Sequence, residues 1–278
     1  MTDAVDRLET AILADRDDAE LYLVYADELQ RAGDPRGELV VMQNQIQSTD
    51  DRQERHALQR TCDKWITTHD LLGPLKEFSS NSRGRYADIT WRYGFIRCLE
   101  IGWGTEVNAT PSAARAELEA ILNHPSSPFI TMLVLGPAPG SGNRMDLQCL
   151  VDAITATRRP RALRTLHVGR TTGWGWSTTQ TGAIGEASVA LQRLQKLVLE
   201  ASRVRIGRLA LPELRELLVH CGELEEDLLR ELDEIECPRL TSITVKFDRA
   251  IASPDAMERR LRSRLPHVRK VRVRATLP

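Results

Sequence analysis

The side chains capable of chemistry are dispersed along this sequence. Its six histidines (His56, His69, His124, His167, His220 and His267) show no H-E-x-x-H or other metal-ligand spacing. The five cysteines (Cys62, Cys98, Cys149, Cys221 and Cys237) are odd in number, far apart and never form a C-x-x-C pair. That pattern disfavours both a zinc site and a disulfide framework and reads as reduced, mostly buried thiols. The adjacent pair His220-Cys221 falls in a strand pattern, where neighbours face opposite sides and cannot meet as base and nucleophile. Gly136-Pro-Ala-Pro-Gly140-Ser-Gly142 lacks the lysine and Ser/Thr of a phosphate-binding loop, and no G-x-S-x-G occurs, so the glycine-rich run reads as a turn. Glu225, Glu226 and Asp227 occupy successive helix positions that point in different directions. They read as the acidic start of a helix, where the dipole favours negative charge. No catalytic, metal or cofactor site is expected, and the chain is read as a non-enzyme.

Residues suited to binding are easier to find. The insert Gly169-Arg-Thr-Thr-Gly-Trp-Gly-Trp-Ser-Thr-Thr-Gln-Thr-Gly182 is polar apart from Trp174 and Trp176. Long loops are often functional and loop tryptophans are frequent hot spots, so the two serve either as contacts or as a plug for the edge of the fold. Charge is uneven: Glu213 to Glu236 holds ten acidic residues against Arg215 and Arg230, whereas Arg259, Arg260, Arg262, Arg264, Arg269, Lys270, Arg272 and Arg274 make a basic end. Charge on a terminal strand blocks edge-to-edge pairing, which is the favoured reading. Phosphate contact through Lys270, Arg272 and Arg274 is the alternative, although the interleaved aromatics of single-strand binders are missing there. The whole chain is balanced, 38 basic residues against 39 acidic for a net charge of −1, which argues against a nucleic-acid or anionic-membrane protein. No apolar run approaches the roughly 18 residues of a membrane span. The acidic start Met1-Thr-Asp-Ala-Val-Asp-Arg is unlike a secretory signal, so the expected location is the cytoplasm.

Two patterns position these residues. The first 70 residues are helical in period: Asp6 to Leu13, then Ala19 to Ala32 behind candidate N-caps Asp15 to Asp18, then Pro35 to Gln47, then Asp50 to Thr68. Leu21, Val24, Tyr25 and Leu29 are expected to share the inward face of the second helix, and Gly33 and Asp34-Pro35 to punctuate its end and the next start. The stretches Leu8-Glu-Thr-Ala-Ile-Leu-Ala-Asp15, Leu23-Val-Tyr-Ala-Asp-Glu-Leu29 and Gly33-Asp-Pro-Arg-Gly-Glu-Leu39, with Gln43, resemble the bacterial repeat-companion domain over about the first 45 residues. One departure is Glu28, where that family usually has tryptophan, so local packing is expected to differ. The resemblance implies a bacterial helical module preceding repeats, and it brings no catalytic residue.

Downstream, one template recurs: Ile96-x-x-Leu99-x-Ile101, Ile130-x-x-Leu133-x-Leu135, Leu163-x-x-Leu166-x-Val168, Leu194-x-x-Leu197-x-Leu199, Leu214-x-x-Leu217-x-Val219, Leu240-x-x-Ile243-x-Val245 and Val268-x-x-Val271-x-Val273. The steps between central residues are 34, 33, 31, 20, 26 and 28, near or above the leucine-rich period. Helical patterns fill most gaps, at Ser112–Asn123, Asp146–Thr157, Leu224–Ile235 and Pro254–Leu265, while Ala201–Pro212 is too short for one. This resembles the leucine-rich-repeat superfamily in its helix-containing form, although the asparagine that usually follows the run is absent. The expected fold is therefore α/β: a helical module over 1–80, then a solenoid over 81–278 with a curved parallel sheet of about seven strands and convex helices.

In such a sheet the residue between the two apolar positions points to the concave side, giving the column Glu100, Val134, His167, Val198, Leu218, Thr244 and Arg272. An apolar column rimmed by charge fits a protein-contact patch, unless the N-terminal helices or the Trp loop cover it. The expected function is recognition of another protein, of unknown identity, or a regulatory scaffold, through Val134, His167, Trp174, Trp176, Val198, Leu218 and Thr244, and the repeat-companion resemblance implies a signalling or defence system as its setting. The alternative is a nucleic-acid-associated protein using Lys270, Arg272 and Arg274. Neither a cofactor nor a membrane partner is expected.

Overall fold

The computed structural model describes residues 3–79, 85–103, 110–137, 146–157, 162–169, 179–250 and 253–276. Four helices come first: α1 (Asp3–Ala14), α2 (Ala19–Arg31), α3 (Arg36–Ser48) and α4 (Arg52–Thr68). Aspartates start two of them. The Asp18 side chain accepts from the backbone N–H groups of Glu20 and Leu21, and Asp51 does the same for Gln53 and Glu54, satisfying donors that have no partner within the helix. Asp34 accepts from the Arg36 N–H at 2.9 Å just ahead of α3.

The buried face of α2 is Tyr22, Tyr25, Ala26 and Leu29, whereas Val24, expected inward, is exposed. Tyr22 takes the inner place because its ring stacks on Tyr93 at 4.6 Å and meets Phe129 edge-on at 5.7 Å, a larger apolar burial than a valine provides. Glu28, the departure from the repeat-companion pattern, lies at the surface beside Arg31, with which it forms an ion pair.

A short helix, α5 (Lys76–Ser79), leads into an eight-stranded sheet whose strand order follows the chain: β1 (Arg85–Arg92), β2 (Phe95–Trp103), β3 (Met132–Pro137), β4 (Thr165–Val168), β5 (Lys196–Ala201), β6 (Glu216–Leu224), β7 (Ser242–Ala250) and β8 (Lys270–Ala275). β1 and β2 form an antiparallel hairpin closed by Tyr93 and Gly94, both at positive φ, and every later pair is parallel. The sheet thus has one strand more than the seven expected. β1 does not fit the repeat template; it packs Ala87, Ile89 and Trp91, at alternate positions, against the core.

Leu99, Leu133, Leu166, Leu197, Leu217, Ile243 and Val271 pair in one unbroken line across seven strands, and none is more than 2% exposed. With Ile101, Leu135, Val168, Leu199, Val219, Val245 and Val273 they form the core, packed against α6 (Pro111–Asn123), α7 (Gln148–Ala156), α8 (Glu226–Asp233) and α9 (Pro254–Arg264). No helix lies between β5 and β6, where the step is shortest.

The helical module docks at the starting ends of the strands. Ile12, Leu13, Tyr22, Tyr25, Ala26, Leu29 and Val40 share a cluster with Tyr93, Phe95, Phe129 and Ala162, the last three lying at or just before the starts of β2, β3 and β4. Leu39, Cys62, Ile66 and Leu71 form a smaller cluster beside Trp91. Among the described residues, no helix is long and apolar enough to cross a membrane.

Candidate functional site

The sheet face opposite the core carries three parallel rows set by the strand register. The first is Cys98, Met132, Thr165, Lys196, Glu216, Ser242 and Lys270; the second is Glu100, Val134, His167, Val198, Leu218, Thr244 and Arg272. The third runs Glu200, His220, Lys246 and Arg274 across the last four strands. The alternation expected of the column holds, but its exposure differs. Val134 and Val198 are only 3% and 8% exposed, so they are not part of an open apolar surface. Each is a short side chain between longer ones on neighbouring strands about 4.8 Å away: Glu100 and His167 flank Val134, and His167 and Leu218 flank Val198. Leu218, Thr244 and His167 are half-buried, and Met132, Lys196, Glu216, Lys270, Arg272 and Arg274 are exposed.

The centre of the face is polar. His167 Nε2 and Glu200 Oε2 are 3.0 Å apart. The contact is diagonal: His167 pairs with Val198 in the ladder, and Glu200 stands two residues further along β5, a spacing that long side chains span. Burial pushes the Glu200 carboxyl up, but the hydrogen bond from His167 and the charges of His167, His220 and Lys246 outweigh it and hold the group below the usual glutamate range. Burial draws His220 down, against the pull of Glu200 and Asp248. At the outer end Thr276 Oγ1 lies 3.4 Å from His220 Nε2, and at the starting end Lys196 and Glu216 form an ion pair at 3.2 Å. Glu200 is not singled out by the sequence because its relevance depends on the diagonal contact with His167 and not on its own column.

Cys221 is fully buried on the core side of β6, and burial pushes its thiol up to about 12. It stands across the sheet from the open face that carries His220, so the two do not form a nucleophile and base. Among the described residues, no group of three or more His, Cys, Asp or Glu side chains could hold a metal ion. The centre of the face can therefore offer hydrogen bonds and charges of both signs to a ligand.

At the basic end, Lys270, Arg272 and Arg274 line the exposed side of β8, while α9 guards the outer edge of that strand. Arg262 donates to the Val271 carbonyl at 3.1 Å, and Glu258 accepts from the Val273 N–H at 3.3 Å. These two side chains occupy backbone groups through which another strand would pair. Trp174 and Trp176 lie outside the described residues, as does most of the insert that holds them.

No family model matches the sequence, and no curated protein matches it. Among solved structures, a protein from Bacteroides fragilis is similar at 17% identity with a TM-score of 0.46, over 55% of this chain and 46% of its own. The chain thus spans under half the length of that protein.

Proposed function

We propose that this chain is a non-enzymatic recognition module of the bacterial cytoplasm, in which a repeat-companion module precedes a curved leucine-rich-repeat solenoid that binds a partner protein on its open sheet face. The observation that carries this reading is the division of labour between surfaces. One sheet face is consumed by the core and α6 to α9, and the helical module is consumed at the starting ends of the strands. The remaining face keeps Leu218, His220, Thr244, Lys246, Arg272 and Arg274 at least partly accessible in adjacent register. Seven runs in one register and a fixed alternation of strand and connection support the repeat assignment.

The chemistry of the face defines the partner as a protein with an acidic patch around an apolar residue. Leu218 supplies the apolar anchor, Thr244 and His167 supply hydrogen bonds, and Lys246, Arg272 and Arg274 supply the complementary charge. In this reading Val134 and Val198 back the surface, and Trp174 and Trp176 remain candidate contacts. The signalling or defence setting follows from the repeat-companion resemblance.

Affinity purification from the native host with mass spectrometry identifies the partner, and titration of that purified partner tests the site. Leu218→Asp and the double variant Lys246→Glu/Arg272→Glu are each expected to weaken binding by about tenfold or more while leaving the fold intact, as expected for central interface contacts. Wild-type affinity in both variants overturns the reading. Oligonucleotide binding tighter than about 10⁻⁴–10⁻⁶ M at physiological salt, and lost in Arg272→Glu/Arg274→Glu, favours the nucleic-acid alternative instead.

A further inference from the structure

The starting rim of the sheet concentrates positive charge. The residue that follows the first apolar position of each run is Arg97, Thr131, Arg164, Gln195, Arg215, Thr241 and Arg269 in turn, an arginine on every second strand. Backbone hydrogen bonds fix this line: Thr131 N–H donates to Arg97 O, Arg164 N–H to Thr131 O, Gln195 N–H to Arg164 O and Arg215 N–H to Gln195 O, at 2.8–2.9 Å. Arg97 and Arg164 are therefore held two strand spacings apart, roughly 9–10 Å, close enough for two long side chains to converge on one ion.

The helical module completes the enclosure. The loop between α1 and α2 holds Arg16 within reach of the charges of Arg164, Arg97 and Arg193. Arg193, from the turn before β5, donates to the Leu13 carbonyl of α1 at 3.3 Å, and Arg164 donates to the Arg193 carbonyl at 2.8 Å. Four guanidinium groups, those of Arg16, Arg97, Arg164 and Arg193, are thus gathered where the module meets the sheet. Anionic compensation is slight. Asp17 is shared between Arg97 at 3.2 Å and Arg92 at 2.8 Å and is itself 67% exposed. Glu213, whose charge reaches Arg164, is ion-paired with Arg239.

Arg16 makes no hydrogen bond or ion pair among the described residues, and its Nε is buried without a partner, as is Nη1 of Arg97. Burial first, and then the charges of Arg164, Arg97 and Arg193, draw Arg16 down to about 10. Buried donors in folded proteins are almost always satisfied, and gathered like charges without an anion are costly. Guanidinium forks match the oxygens of a tetrahedral oxyanion, and a double negative charge offsets more of the excess than a carboxylate does.

We propose that Arg16, Arg97, Arg164 and Arg193 bind a phosphate-type dianion, supplied either as a free ion or as a phosphorylated side chain of a partner. The site is distinct from the open sheet face and does not depend on the reading given to that face.

The test uses the full chain, with inorganic phosphate and a phosphoserine peptide as probes and sodium chloride of equal ionic strength as the control. Calorimetry and thermal unfolding are expected to show saturable phosphate binding that raises Tm beyond the chloride control. Arg16→Gln is expected to weaken that binding by about tenfold or more, as loss of a charge-assisted contact implies. It is also expected to raise Tm in phosphate-free buffer, because it removes a half-buried cation from among like charges; an arginine with only a structural role gives the opposite sign. Arg193→Gln, at an exposed position, supplies the same binding readout should Arg16→Gln fail to fold. Tighter binding of the peptide assigns the site to a phosphorylated partner, and tighter binding of inorganic phosphate assigns it to the free ion. Absence of a saturable response to both probes at millimolar concentration, or wild-type affinity in the folded variants, overturns the proposal.

Discussion

Replacing Gly169 by alanine tests whether the exit of β4 is fixed by contact with β5. Gly169 has φ +92°, and a Cβ built there lies 1.9 Å from the Glu200 carbonyl oxygen, where real Cβ contacts essentially never fall below 3.0 Å. The ends of β4 and β5 must therefore part by about 1 Å. Two costs add. The backbone conformation alone penalises a side chain by about 1–2 kcal/mol. The collision is with main chain and cannot be relieved by a rotamer, so disruption of the Val168–Leu199 end of the ladder and of the His167–Glu200 contact brings the total to about 3–5 kcal/mol. Gly33→Ala isolates the first cost, because Gly33 has φ +72° with nothing within 4 Å of its added Cβ, and it is expected to lose about 1 kcal/mol. Urea unfolding of both variants, followed by far-UV circular dichroism and tryptophan fluorescence, gives the comparison, provided the m-value is unchanged. A Gly169→Ala loss within about 0.5 kcal/mol of the Gly33→Ala loss, the scale of an ordinary surface change, refutes the close approach of the two strands.

Other perturbations address the open face and the core. Val198→Asp is expected to destabilise the chain by about 2–4 kcal/mol, because a carboxylate replaces a nearly fully buried apolar side chain beside Glu200 and Leu218, whereas Leu218→Asp on the next strand costs under about 1 kcal/mol; equal losses in chemical denaturation contradict the exposure difference between the two. Glu200 has a folded-state pKa below its unfolded value near 4.3, so the stability it contributes is present above that value and is lost as pH falls through the lower folded one. Glu200→Gln is therefore expected to flatten the acid limb of the stability curve below about pH 4.3, and an unchanged limb in acid-titrated unfolding counts against the His167–Glu200 pair. Burial pushes Cys62, Cys149 and Cys237 up to about 11 and Cys221 up to about 12. Alkylation of the folded protein at pH 8 is expected to label half-buried Cys98 first, and mass spectrometry showing Cys221 labelled as fast rules out its enclosure.

The core was legible in the sequence because a parallel ladder converts one repeated spacing into one line. Aligning seven short runs was enough to place Leu99 beside Leu133 and so on to Val271. What escaped depended on partners remote in sequence. Tyr22 displaces Val24 from the inner face of α2 only because Tyr93, Phe95 and Phe129 wait at the sheet rim, and nothing within residues 19–31 encodes that choice. β1 escaped because it enters as half of a hairpin and does not carry the repeat spacing. On the open face the direction of each side chain was legible, but exposure was not: Val134 and Val198 are buried although their column points away from the core, which depends on what surrounds each residue and not on the residue itself. Arg16, Arg97, Arg164 and Arg193 showed no pattern as a group, since Arg16 and Arg193 lie off the repeat line.

The alternation of arginine with threonine or glutamine along that line bears on how the N-terminal helices and the parallel sheet are joined. Two unit charges roughly 10 Å apart repel by about 0.4 kcal/mol in water, a cost that a bare sheet edge tolerates repeatedly. Cover the same pair so that the effective dielectric falls to about 20, and the repulsion rises to about 1.7 kcal/mol. Arg215 and Arg269 remain exposed at their end of the line, whereas Arg97 and Arg164 are half-buried where α1 and α2 pack over Phe95, Phe129 and Ala162. Docking of the module thus turns two tolerable surface charges into costly ones, and it adds Arg16 to them. The apolar cluster holds the interface together, and an anion bound among these cations would offset their repulsion and add to its stability. Under the phosphate proposal, the tightness with which the helices hold the sheet is expected to follow phosphate concentration, and a Tm that rises with phosphate no more than with chloride contradicts that coupling.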